Sequence, residues 1–334
     1  MKIENIDNPI KVNFQKSNIP IIFLDSNMII ELNKVINNTS TIKYKAEVEK
    51  TLSILLELSE QNKLLIPYAD QEEEIDYRQG KSNNIDILFK LSNGNYFKNY
   101  LRIQEEQIET LFKAFLNNND KIKIDYNLGF EKITNTAKDA NVFIKGKLYL
   151  LGKNIIQQIQ DTKNFLVADL ADYQKELLPT ESYKEHLFKE LTYEGHKLSN
   201  QILHKSQSQQ PLNDLEREHW ERFIDLSQKF KLQGDLSCQY ITYCKFLLGY
   251  YWFAVPFVDI ERNIRTYISL NQKFKRGDYQ DTINASCYLP YCNYYFTDNA
   301  MRKMLINIGI DKKYNVKLYS FENIHEMNLE LSKL

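Results

Sequence analysis

A chain of 334 residues, 43% apolar and 26% charged, is long enough for a large buried core and has no apolar run of membrane-spanning length. Its formal net charge of −1 lacks the basic excess typical of a nucleic-acid binder, although a group of acidic ligands can hide basic patches in a net count. Tyr (22) and Phe (18) are abundant while Gly (10) and Pro (7) are scarce, which favours long helices over a turn-rich all-β fold.

Residues 1–7 carry no signal-peptide apolar region, so a cytoplasmic location is expected. Residues 20–24, PIIFL, are predicted to form a buried parallel strand. That strand ends on Asp25, and a second apolar pattern follows at once, as in a strand that turns into a helix. Ligands of open α/β sheets bind outside such strand ends. Residues 41–60 are predicted helical, with Val48, Leu52, Leu55, Leu56 and Leu58 broadly on one side. A second strand over 63–66 meets Pro67 and leads into a helix start rich in acids, Glu72, Glu73 and Glu74, as the helix dipole prefers.

From about residue 80 to 250 the patterns are mostly helical. Residues 100–116 are amphipathic, 153–178 and 181–204 carry mixed charge at helical spacing, and 205–213 form a loop whose Asn213, or Asp214, can cap the next helix. Residues 235–253 read as an aromatic, buried helix, so the aromatic run at 250–253 is assigned to core rather than to base stacking. Strand–helix alternation then resumes: a short strand at 253–259, helices at 260–270 and 277–289, a strand at 294–296, a helix at 298–308, an edge strand at 315–319 and a closing helix at 321–333. The expected architecture is α/β. A parallel sheet, with strands 20–24, 63–66 and 293–296 adjacent and helices on both faces, is built from residues 1–80 and 252–334, and residues 81–251 form a large, mostly α-helical insertion.

Five carboxylates, Asp25, Glu74, Asp278, Asp281 and Asp298, fall at strand ends or helix starts. Asp278 and Asp281 are three apart and share a helix face. Carboxylates gathered in one place repel unless a cation joins them, and an all-oxygen set suits Mg²⁺ or Mn²⁺. The plainer reading of an Asp before a helix is an N-cap, and for Asp278 that reading is strong. The five His are scattered, no Gly-rich phosphate loop is present, and the four Cys read as reduced thiols. Arg276, Arg262, Arg265, Arg302 and Lys303 could meet phosphate, but pairing with an acid or solvation is the commoner fate of such residues.

The order strand–Asp25, strand–Pro67–Glu73 or Glu74, helix–Asp281 or Asp278, strand–Thr297–Asp298 resembles the PIN-domain nucleases, in a subgroup with an enlarged helical middle. The resemblance covers roughly residues 18–80 and 252–334, and the stretch 278–298 carries most of it. Two positions depart from the family pattern: Asn293 stands where an Asp is expected, and Thr297 and Asp298 are adjacent where one residue usually intervenes. The resemblance implies a Mg²⁺- or Mn²⁺-dependent endonuclease that hydrolyses phosphodiester bonds, with RNA favoured over DNA. Asp25, Glu74, Asp281 and Asp298 would be its catalytic, metal-holding residues, with Asp278 a further ligand. Asn27, Thr297, Arg276 and Asn293 would support the ligands or the substrate. The size of the insertion points to a regulated stress or phage-defence effector, with the insertion contacting a second copy or a regulatory protein. The alternative is a non-catalytic PIN-like module that binds protein or nucleic acid.

Overall fold

The computed structural model describes residues 6–69, 83–131, 182–271 and 275–334. In chain order its elements are β1 (Lys11–Gln15), β2 (Ile22–Leu24), α1 (Ser26–Ile36), α2 (Lys45–Glu60), α3 (Asn83–Ser92), α4 (Tyr100–Leu116) and β3 (Lys121–Asp125). After the undescribed stretch come α5 (Tyr183–Tyr193), α6 (Ser199–Ser208), α7 (Asp214–Lys229), α8 (Leu236–Leu247), α9 (Tyr250–Phe253) and α10 (Pro256–Asn271). The last part holds α11 (Arg276–Tyr288), β4 (Tyr294–Phe296), α12 (Asn299–Asn307), α13 (Ile310–Lys313), β5 (Lys317–Tyr319) and α14 (Ile324–Leu331). Helix ends that usually call for Gly are closed here by Asn: Asn38, Asn62 and Asn118 take positive φ just past α1, α2 and α4. Asn tolerates that left-handed conformation, which lets a Gly-poor chain stop its helices.

The chain forms two compact units: residues 14–103, 125–176 and 273–334, and residues 1–13, 104–124 and 177–272. These bounds differ from those expected. Residues 81–103 go with the sheet and residues 252–272 with the helices.

In the sheet unit, β2, β4 and β5 form a parallel sheet in that order. Residue 65 joins on the far side of β2 through a parallel bridge to Ile21, with Ile22 N to Leu65 O at 2.9 Å and Leu65 N to Pro20 O at 2.9 Å. The expected strand at 63–66 is therefore a single bridge, because Pro67 has no N–H with which to continue it. Strand alternation sorts the sheet into two faces. Ile22, Leu24, Tyr294, Phe296 and Tyr319 pack with α1, α2, α3 and α14 through residues such as Leu32, Leu55, Leu91 and Met327. On the other face Phe23 stacks on Tyr295 (4.8 Å) and on Tyr288 of α11 (5.5 Å). Each such side chain, fully removed from water, contributes about 1.5–3 kcal/mol. Helices thus cover both faces of a small parallel sheet.

The helical unit is built around α5 and α10 and an aromatic cluster of Phe112, Phe223, Tyr243, Phe246 and Trp252. Tyr183 donates to Asn263 Oδ1 (2.8 Å), and the buried Glu190 receives Arg262 (3.4 Å) and Arg265 (3.5 Å). Both arginines are thereby paired within α5 and α10. Residues 253–259, expected as a strand, instead lead into α10: Pro256 is its first residue, and a Pro with φ fixed near the helical value starts a helix well. Two strands had not been expected. β1 and β3 pair in a two-stranded sheet, where Lys11 N donates to Asp120 O at 2.7 Å.

Candidate carboxylate site at the sheet edge

β2 and β4 run in register, Ile22 with Tyr294 through Leu24 with Phe296. Their C-terminal ends therefore deliver Asp25 and Thr297 side by side, about 5 Å apart as neighbouring strands require. Asp25 N donates to Phe296 O (3.1 Å), and Thr297 N to Tyr319 O (2.9 Å), so the edge is fixed on both sides. Asp25 is 2% exposed and stands at the N-cap of α1, but its side chain caps no backbone N–H there. Its carboxylate instead accepts Ser26 Oγ (3.1 Å) and Asn27 Nδ2 (3.2 Å). The support role expected of Asn27 is thus a direct hydrogen bond.

Period-two alternation places Asp25 and Thr297 on the face that carries Phe23, Tyr295 and α11. Asp298, one residue further, falls on the opposite side. There it caps α12, accepting Met301 N at 2.9 Å. The adjacency of Thr297 and Asp298 is thus a geometric choice: the two side chains leave the strand end in opposite directions.

α11 brings Asp278 and Asp281 to the same edge. Asp278 accepts Lys275 N (2.8 Å), closing the first turn. Burial pushes its carboxyl above the ordinary carboxylate range, Lys275 pulls it back, and the nearby Asp298 carboxylate pushes it up again. Asp281 folds back along its helix, with Oδ2 3.9 Å from where a Cβ on Gly277 would lie. The Tyr295 phenol is held well above its usual value, first by burial, then by the negative charges of Asp25 and Asp281. Asp25 and Asp281 therefore both lie within electrostatic reach of one hydroxyl, and Asp278 and Asp298 within reach of each other. Tyr295 was not among the expected site residues. Its place two residues before Thr297, on the face Asp25 shares, is the signal that would have found it.

Two expected residues lie elsewhere or outside the described set. Asn293 is at the opposite end of β4, where its Oδ1 accepts Ile21 N (3.0 Å) and its backbone bonds Ile21 and Lys317. Four strand residues separate it from Thr297, about 13 Å, so it pins the sheet's far edge rather than a carboxylate. Glu73 and Glu74, and the Arg276 side chain, lie outside the described residues. Arg302 Nε donates to Leu318 O (3.0 Å) and Lys303 pairs with Glu322 (3.5 Å), so both basic residues past Asp298 have protein partners. Among the described residues no group of three or more His, Cys, Asp or Glu side chains is arranged to hold a metal ion. The four carboxylates form two pairs rather than one tight cluster.

No protein-family model, no curated protein and no solved structure matches this chain.

Proposed function

We propose that the sheet edge is the active site of a divalent-metal-dependent nuclease of PIN-like organisation, acting on RNA in preference to DNA. The observation that carries this reading is the delivery of Asp25 and Thr297–Asp298 by two hydrogen-bonded parallel strands, with Asp278 and Asp281 on the helix beside them. Mg²⁺ needs only one or two protein carboxylates and keeps several waters, so paired carboxylates suit it better than a closed cage would. Asp25 and Asp281 would hold the ion, with Asp278 and Asp298 on its flank and Glu73 or Glu74 as further candidates. When bound, such an ion supplies charge neutralisation at a phosphodiester and lowers the pKa of water.

The chain's own residues have defined tasks. Asn27 and Ser26 orient the Asp25 carboxylate. Tyr295, kept protonated by burial, meets the carboxylates as a neutral dipole and not as another anion. Asp278 retains a proton at a pH where an ordinary carboxyl has lost it, a property suited to protonating a leaving oxygen. A regulated stress or defence effector is the context this reading suggests.

The non-catalytic alternative, a PIN-like binding module, is favoured by one observation. Asp298 is engaged as a helix cap, and no three metal-capable side chains cluster among the described residues. One assay separates the two readings: incubation of mixed RNA and single-stranded DNA pools with Mg²⁺ or Mn²⁺, wild type against Asp25→Asn. Cleavage that needs the metal and vanishes in the variant supports the nuclease. Intact pools under both metals support the binding module.

A further inference from the structure

Beside the carboxylates, on the face to which Asp298 turns, lies a cavity of about 400 Å³. That is within the range of small-molecule sites. Ile30, Ile42 and Phe321 give it apolar walls, and Asn27, Asp298 and Asn299 give it polar ones. Its polar character is one-sided. Asn299 Nδ2 donates to Glu322 Oε1 at 2.5 Å, which fixes the amide orientation. Asn299 Oδ1 is then shut off from water and has no hydrogen-bond partner among the described residues. A buried acceptor left unpaired costs about 1–3 kcal/mol, and a ligand N–H would recover it. The other polar groups are acceptors too. Asp298, Glu31 and Glu322 are carboxylates, and the one ammonium, Lys34, is held by Glu31 at 2.6 Å.

A flat aromatic ligand with adjacent N–H donors fits these walls. We infer that the cavity is a nucleobase subsite that selects guanine, whose ring N–H and exocyclic amino group present donors side by side. Phe321 supplies the aromatic wall against which the base packs, an interaction that any base can make. Selection comes from Asn299 Oδ1 and the carboxylates, because a uracil edge would place carbonyl oxygens against acceptors. The inference rests on the nucleic-acid reading above: Asp298 borders both the cavity and the carboxylate edge, so a base seated here belongs to the nucleotide next to the scissile phosphate.

The test uses nucleosides, which carry no phosphate, in the presence of EDTA, so that it is independent of any metal. Guanosine and uridine are titrated into the intact protein by calorimetry or ligand-observed NMR. Guanosine is expected to bind at least about tenfold tighter than uridine. Ile42→Trp, which fills the cavity from a half-buried position, is expected to abolish guanosine binding. Asn299→Leu, which keeps the cavity's size but removes the acceptor, is expected to weaken it about tenfold and decides the matter should Ile42→Trp fail to fold. Equal affinity for the two nucleosides, no binding of either, or guanosine binding unchanged in the folded variants would overturn the subsite. Metal-dependent RNA cleavage without guanosine binding removes the subsite and leaves the nuclease. Guanosine binding that is lost in Ile42→Trp, with no cleavage of any substrate, keeps the pocket and removes the nuclease.

Discussion

Asp278 shows how a single side chain reports on the site. Its carboxyl is raised by burial and by Asp298, so the folded protein binds that proton more tightly than the unfolded chain does. The sign follows: stability from this group is fully present below the unfolded value of about 3.9 and is lost as pH rises through the raised folded value. At pH 7 the ionised Asp278 therefore costs the fold. Asp278→Asn keeps an oxygen for Lys275 N and removes the charge. Its Tm is expected to exceed that of wild type at pH 7, with the difference shrinking towards pH 4. A lower Tm at pH 7 would mean that the charge is needed by the fold. Asn293 gives the converse test. It bonds Ile21 N at the sheet's far edge, so Asn293→Ala should cost about 1 kcal/mol in urea denaturation and leave cleavage kinetics unchanged. A loss of kcat at unchanged stability would put Asn293 back at the site.

At the scale of elements, the parallel pairing of β2 with β4 depends on the aromatic stack behind it. Phe23 is fully buried between Tyr295 and Tyr288, so it ties both strands to α11. Phe23→Ala is expected to destabilise the protein by about 3–5 kcal/mol, read as a lowered urea midpoint at unchanged slope. A change below about 1 kcal/mol would show that another contact holds α11 against the sheet. These elements were legible in the sequence because their signals are local. An apolar run ending on Asp25, another ending on Thr297–Asp298, and the amphipathic spacing of Tyr100–Leu116 each declare themselves within a few residues. β3 was not read, although Lys121–Asp125 alternates Ile122 and Ile124 inward, because five residues between helical patterns give a weak signal. The stretch 253–259 is apolar enough for either state, and Pro256 resolved it towards helix. Asn293 was misplaced because chain order marks a strand's ends but not which end faces the ligands.

At the scale of the whole molecule, residues from near both ends of the chain meet at one sheet edge, and that meeting is the central claim. Sequence order alone brought Asp25, Asp281 and Asp298 together in expectation. The adjacency of Thr297 and Asp298, which sends one carboxylate to each side of the sheet, became visible only with the register of β2 and β4. The most direct test is Mn²⁺ binding followed by the loss of the free-ion EPR signal, in wild type, the Asp25→Asn/Asp281→Asn double variant and Asn293→Ala. The account predicts binding by wild type and by Asn293→Ala, and its loss in the folded double variant. Undiminished binding in the double variant, or none in wild type, would contradict it.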